Sequence, residues 1–351
     1  VRVAVSLVLP LAGPNGEPVD LWRTLVSHGI AHLPPAALDE PGRSLRTTLR
    51  LGRSRPRTIV ISEDGSEAAQ VEALGPAPSA AVADELLATV RGMLNLDEDL
   101  SGFYRMAAKD PRLAWVAGGA GRMLRSPSVF EDVVKTICTT NCAWSATVRM
   151  VTVLVERLGE NSAGSLGNAF PTPTAMAEAP EAFYRDAVRA GYRGAYLRGL
   201  AAAVAAGEVD LEALRWTPAD ELPDDEVATR LLALPGVGPY AAAHIMMLLG
   251  RHSRLILDSW TRPTYARVNG RKAADATILR RFRRYGRYAG LAFWLLLTYD
   301  WVAAQTAPTT AGTPADRVTT TTAPPEPAAA QAGEAGAPQQ RQRAMPAPAS
   351  R

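Results

Sequence analysis

Asp258 stands twenty residues beyond the second glycine of "GVGPYAAAHIMMLLGRHSRLILD", with Tyr240 and His244 between them. A carboxylate can stabilise a cationic sugar, an aromatic ring can stack on a base, and an imidazole can pass a proton or read an edge. Together these groups suit the removal of a base from a sugar, provided that they converge. Tyr240 and His244 are four apart, so on a helix they project together. A helix of about ten residues spans roughly 15 Å, after which "RLILD" can return Asp258 toward the glycines. An aspartate opening a helix is also an ordinary N-cap, and spacing alone leaves both roles open. His244 likewise fits an acid, a reader of the base or a packed ring.

The glycines prepare a seat for an anion. The helical segment "DDEVATRLLAL" ends at "PGVG", and the next helix begins at once with Pro239, a residue suited to the first helical position. Such a turn leaves backbone N–H groups unpaired. Gly236 and Gly238, flanking Val237, are expected to take positive φ and to leave room for an approaching oxygen. Amides at a helix start bind one phosphate without a lysine, so the segment reads as a helix-hairpin-helix that holds a DNA backbone. An ordinary helix–helix connection uses the same residues.

Amines are scarce. Of 38 basic residues only Lys109, Lys135 and Lys272 are lysine, and these are the candidates for any nucleophilic amine. Arginine gathers in two stretches, Arg43, Arg46, Arg50, Arg53, Arg55 and Arg57, and then Arg271 to Arg287 around Lys272. Each suits a polyanion or a solvated face. Cys138 and Cys142, four apart, supply neither a disulfide framework nor a cluster or zinc set. His28 and His32 share that spacing without a neighbouring carboxylate or thiol, which favours packed or surface roles over metal binding.

The 351 residues allow two or three domains. "VRVAVSLVLPLAG" reads as a first strand rather than a signal segment. No stretch has the apolar length of a membrane span, and a cytoplasmic protein is expected. "SLRTTLRL" alternates with period two, "RTIVISEDGSEAAQVEAL" suggests a hairpin at Asp64-Gly65, and "LWRTLVSHGI" a short helix. From residue 81 the pattern is helical, including "SVFEDVVKTICTTNCAW", capped by Ser126 or Ser128, and one long segment "ATILRRFRRYGRYAGLAFWLLLTYDWV". After about residue 305 the Ala/Pro/Thr-rich chain has too little to bury and is expected to be a disordered tail.

"LPGVGPYAAAHIMMLLGRHSRLILDSWTR" resembles the hairpin and catalytic aspartate of the helix-hairpin-helix DNA glycosylase superfamily, in its 3-methyladenine DNA glycosylase II and 8-oxoguanine DNA glycosylase branches. "SPSVFEDVVKTICTTNCAWSAT", "AGYRGAYLRGLAAAV" and "YGRYAGLAFWLLL" extend the resemblance over residues 1–303. It implies a mainly α fold with an N-terminal α+β domain (1–80) and two all-α subdomains (81–125 plus 261–305, and 126–260) flanking a cleft; the expected tail over 306–351 has no counterpart in the family. Within that frame Asp258 matches the catalytic aspartate, and Gly236, Val237 and Gly238 the phosphate-binding hairpin. Asn141 matches the residue that fills the gap left by a flipped nucleotide, while Tyr192 and Arg193 match side chains that meet the unpaired partner base.

The departures from the family also carry meaning. Bifunctional members have a lysine where this chain has Tyr240, so the resemblance implies a monofunctional enzyme, although Lys135 could fold nearby. Phe293 stands where oxoguanine enzymes use an amide, which implies an aromatic base pocket of Tyr240, His244, Phe293 and Trp294. Such a pocket favours a cationic alkylated purine, with 8-oxoguanine as the alternative and a non-catalytic damage-sensing module as a further one. The implied partner is double-stranded DNA bearing a damaged base, bound by a monomer associated with the nucleoid. No cofactor is implied beyond a monovalent cation at the hairpin, and the iron–sulfur loop of endonuclease III is missing.

Overall fold

The computed structural model describes residues 3–52, 54–65 and 67–303; Arg53 and the tail expected beyond residue 305 lie outside them. Five antiparallel strands open the chain, β1 (Val3–Pro10), β2 (Ala37–Asp39), β3 (Ser44–Leu51), β4 (Ser54–Asp64) and β5 (Ala68–Leu74), in the order β1-β5-β4-β3-β2. Period two holds along β3, where Leu45, Leu49 and Leu51 are buried while Arg46 is exposed. The β4–β5 connection turns at Gly65 with φ +71°, as Asp64-Gly65 suggested.

Thr48 breaks that alternation, because the sheet's outer face is also covered. Its hydroxyl meets Thr58 Oγ1 at 2.9 Å, and Thr58 in turn donates to Ser162 Oγ at 3.1 Å. Arg46 donates to the Leu166 carbonyl at 2.6 Å, Arg50 pairs with Glu160 at 2.6 Å, and Arg43 with Glu63 at 2.9 Å. The first arginine stretch therefore ties the sheet to its neighbours and to itself.

The helices are α1 (Leu21–Leu25), α2 (Ala80–Met93), α3 (Ser101–Ala107), α4 (Val129–Thr139), α5 (Trp144–Leu158), α6 (Pro173–Glu178), α7 (Arg193–Ala205), α8 (Ala213–Trp216), α9 (Asp224–Leu232), α10 (Pro239–Leu248), α11 (Thr261–Asn269), α12 (Asp275–Phe282), α13 (Ala289–Thr298) and α14 (Asp300–Ala303). Ser128 caps α4, its Oγ accepting from Glu131 N–H at 3.2 Å. The long segment read as one helix is broken. Gly286 adopts φ +53°, and a 3₁₀ stretch over Arg283–Tyr288 separates α12 from α13. Among the described residues no helix is long and apolar enough to cross a membrane.

Two hydrophobic cores result. One joins the sheet, α2, α3 and the C-terminal helices; the other joins α4 to α9. The N-terminal sheet thus shares its core with a helical subdomain. Helix α10 belongs to both, Ala242, Ile245 and Met246 packing into the second core while Ala243, Met247 and Leu248 pack into the first. Its alanines let both cores approach one backbone. Tyr240 contacts both cores, one turn before His244 at the seam.

A candidate nucleic-acid cleft between the two cores

The seam opens as a cleft of about 590 Å³ lined from both cores, with the hairpin and Asp258 among its walls. Gly236 takes φ +82°, where a Cβ would meet the Tyr196 ring. Gly238 differs from expectation: its φ is −95°, and a Cβ there would meet open space. Clearance, rather than backbone angle, is what glycine supplies at that position. Val237 is buried in the second core, and its N–H bonds Leu234 O at 3.1 Å, so it anchors the turn from within. Pro239 opens α10 with no side-chain cap, leaving the first helical amides without intrahelical partners.

Asp258 lies before α11 and lines the cleft. Its Oδ1 accepts from Trp260 N–H at 2.8 Å and from Thr261 N–H at 2.6 Å, while its own N–H donates to Thr261 Oγ1 at 2.8 Å. The capping geometry is therefore realised, and the helix itself begins at Thr261 rather than at Asp258. Among the described residues no hydrogen bond reaches Oδ2. The carboxylate's field acts on both Tyr240 and His244, favouring protonation of each. The three groups that the spacing singled out do converge.

Burial sets their charge states. Tyr240 is pushed up to about 12 by burial, with its hydroxyl 3.4 Å from Thr139 Oγ1. His244 is lowered to about 4 by burial, against the opposing pull of Asp258, and is neutral at pH 7. His28 meets His244 edge-on at 5.6 Å and is lowered to about 3 by burial and by that neighbour. Its Nε2 lies against the Leu124 carbonyl and its Nδ1 faces Ile30 N–H at 3.4 Å, which fixes the neutral tautomer.

Tryptophan furnishes much of the remaining wall. Trp260, Trp294 and Trp301 pack mutually at 5.6 to 5.7 Å, and Trp294 Nε1 donates to Ser27 O at 2.9 Å. Phe293 is not in the pocket. It is fully buried in the first core against Tyr265 and Phe282, one position and about 100° round α13 from Trp294. Trp144, Trp260, Trp301, His28 and Lys135 were not read as pocket residues, yet all line the cleft. Lys135, the nearby amine that the sequence allowed for, is buried and paired with Glu131 Oε1 at 2.6 Å.

At the rim Asn141 holds φ +47° and donates from Nδ2 to Tyr192 Oη at 3.2 Å. Both side chains are exposed. Arg193 turns inward against the same loop. Its guanidinium lies 4.6 Å from the Tyr192 ring and donates to the Thr140 carbonyl, to Thr140 Oγ1 at 3.3 Å and to Ala190 O at 3.4 Å. It braces the strained loop from behind.

No protein-family model and no curated protein matches the sequence. Solved structures do. A 3-methyladenine DNA-glycosylase from Archaeoglobus fulgidus is 19% identical, covering 86% of this chain and 99% of its own, with a TM-score of 0.65. The 8-oxoguanine glycosylase/lyase of Clostridium acetobutylicum in its apo-form is 19% identical over 85% of this chain and 96% of its own, TM-score 0.63. The same enzyme in complex with dsDNA containing cytosine opposite 8-oxoG matches over 85% and 98%, TM-score 0.64, again at 19% identity. This is a likeness of fold, and the fold is that of the helix-hairpin-helix DNA glycosylases.

Proposed function

We propose that this chain is a monofunctional DNA glycosylase of base excision repair, which extrudes a damaged nucleotide from duplex DNA and hydrolyses its N-glycosidic bond. The observation that carries this reading is the Asp258 carboxylate on the wall of an aromatic cleft beside the hairpin's free amides. Those amides hold a backbone phosphate, Asn141 and Tyr192 enter the stack, and the nucleotide turns out into the cleft. The C1′–N bond then breaks with its electron pair leaving on the base. Asp258 stabilises the cationic sugar and orients a water, whose oxygen bonds C1′. The water's proton is released to solvent when an alkylated, cationic base leaves as a neutral one, and ends on the departing base when that base was neutral. Fixed charge of this kind contributes about 10²–10³ in rate.

The monofunctional assignment rests on Tyr240, which offers no amine, and on Lys135 being engaged by Glu131. Stacking between Tyr240 and the tryptophans suits an alkylated purine, the class named for the Archaeoglobus 3-methyladenine DNA-glycosylase. A second reading, 8-oxoguanine, draws support from the Asn141–Tyr192 pair and from the Clostridium enzyme. Single-turnover excision across methylated, oxidised and deaminated duplexes tests all of this. Asp258→Asn is expected to abolish release while retaining DNA affinity, with borohydride trapping no adduct in the wild type. Undiminished excision by that variant would overturn the role of Asp258, and binding without excision of any lesion would mark a damage sensor.

A further inference from the structure

The cleft has a depth axis. His28, Leu33, Lys135, Thr136 and Leu248 line it with exposures of 3% or less, whereas the lining residues Asn141, Tyr192, Gly238 and Ser259 are exposed. The first group closes the inner end, where an extruded base would present its far edge. The hydrogen-bonding capacity there is nearly spent. Thr136 donates to Asp132 O at 2.7 Å, and both ring nitrogens of His28 face backbone groups.

Lys135 is different. An ammonium carries three N–H donors. Its Nζ pairs with Glu131 Oε1 at 2.6 Å, donates to Leu33 O at 3.4 Å and lies 5.7 Å from the centre of the Phe170 ring; among the described residues no third oxygen or nitrogen acceptor contacts it. The pair arises from the start of α4. Ser128 and Glu131 have the spacing of a capping box, but the Glu131 carboxylate turns to Lys135 one helical turn on. A buried ion pair is seldom more stable than an apolar pair of the same volume, so fold stability gives little reason for placing one here.

Resting on the glycosylase reading above, we infer that Lys135 reads the inner edge of the extruded base and selects a 6-oxo purine, of the guanine or hypoxanthine type, over a 6-amino purine. The O6 keto oxygen accepts from the free N–H, whereas an adenine-type base turns its N6 donors toward the cation. Glu131 offsets the charge of Lys135, so the inner end admits a neutral or alkylated base. The discrimination expected of one such contact is roughly tenfold.

Hypoxanthine and adenine share one ring system and differ in the 6-substituent and, with it, in N1, which carries a hydrogen only in hypoxanthine, so the free bases probe that edge directly. Quenching of the cleft tryptophans should show hypoxanthine binding about tenfold tighter than adenine to the intact protein. The double variant Glu131→Gln/Lys135→Met, which leaves no orphan carboxylate, should lose that preference while keeping its adenine affinity and Tm. Equal binding of the two bases by the wild type, or a preference that survives in the double variant, would overturn the assignment. Excision of 7-methylguanine over 3-methyladenine from duplexes should follow the same order. Should every lesion duplex stay intact while the hypoxanthine preference holds, the glycosylase reading falls and the specificity of the inner end stands.

Discussion

On the proposed reading Asp258 uses one carboxylate for two tasks, since Oδ1 holds the start of α11 and the second oxygen would serve the chemistry. Asparagine preserves an N-cap and removes the charge, which is why Asp258→Asn separates catalysis from folding where alanine would confound them. Spacing and motif made Tyr240, His244, Asn141 and Asp258 legible, because each lies within a few residues of a turn that fixes its direction. Phe293 misled because α13 is buried all round, so no polar stripe distinguishes its faces. His28 and Lys135 reach the cleft from distant segments with no local signal. His28 also makes a testable pH dependence. Its folded value of about 3 lies below the unfolded 6.5, so between these values the unfolded chain binds a proton that the fold refuses. Stability is full above pH 6.5 and falls as pH drops, by up to about 1.4 kcal/mol per pH unit. His244, lowered to about 4, acts in the same direction. Buried Asp132, raised to about 6 chiefly by desolvation, opposes them as pH falls from 6 toward 4. Urea midpoints from pH 7 to 4 should therefore decline in the wild type, and His28→Gln should flatten the decline.

At the scale of elements, the hairpin's two glycines separate into two physical roles. Gly236 needs its left-handed backbone, and any side chain there strikes Tyr196. Gly238 sits in ordinary extended backbone with open space before it. Gly236→Ala should lower stability by about 1 kcal/mol or more. Gly238→Ala should leave Tm nearly unchanged yet weaken duplex binding, since its methyl group would occupy the approach to the free amides. Paired thermal melts and DNA titrations decide this; a Gly238→Ala protein with normal affinity would place the phosphate elsewhere. The spacing G-x-G announced the turn but could not assign these roles, because either glycine alone would satisfy the chain's need to reverse. A comparable gap explains the broken C-terminal helix. Apolar periodicity runs unbroken through "RRYGRYAG", and only Gly286 with its positive φ reveals that α12 and α13 are separate rods.

Across the whole molecule, the cleft lies where two cores share α10, whose alanine-rich faces pack into both. Mainly α architecture after an opening sheet was readable from periodicity; the sharing of the sheet's core with the C-terminal helices was not, since it depends on contacts hundreds of residues apart. Charge was the least legible property. Two arginine-rich stretches suggested two polyanion surfaces, but the structure engages much of the first within the fold. Arg46 holds the Leu166 carbonyl and Arg50 pairs with Glu160, both across to the segment that covers the outer face of the sheet. On the proposed reading, a lysine-poor chain with a net charge of only +3 would hold DNA mainly through the hairpin, the rim and the arginines left free. Counterion release makes that countable. Each phosphate contact contributes about 0.9 to the slope of log K against log salt. Arg46→Gln/Arg50→Gln should leave that slope unchanged and lower stability only modestly, by less than about 1 kcal/mol for the partly exposed Arg50–Glu160 ion pair and by about 1 kcal/mol for the Arg46 hydrogen bond to Leu166 O. A slope reduced by about two would instead show both arginines on phosphates, and would turn the sheet from a buttress of the cleft into part of its DNA-binding face.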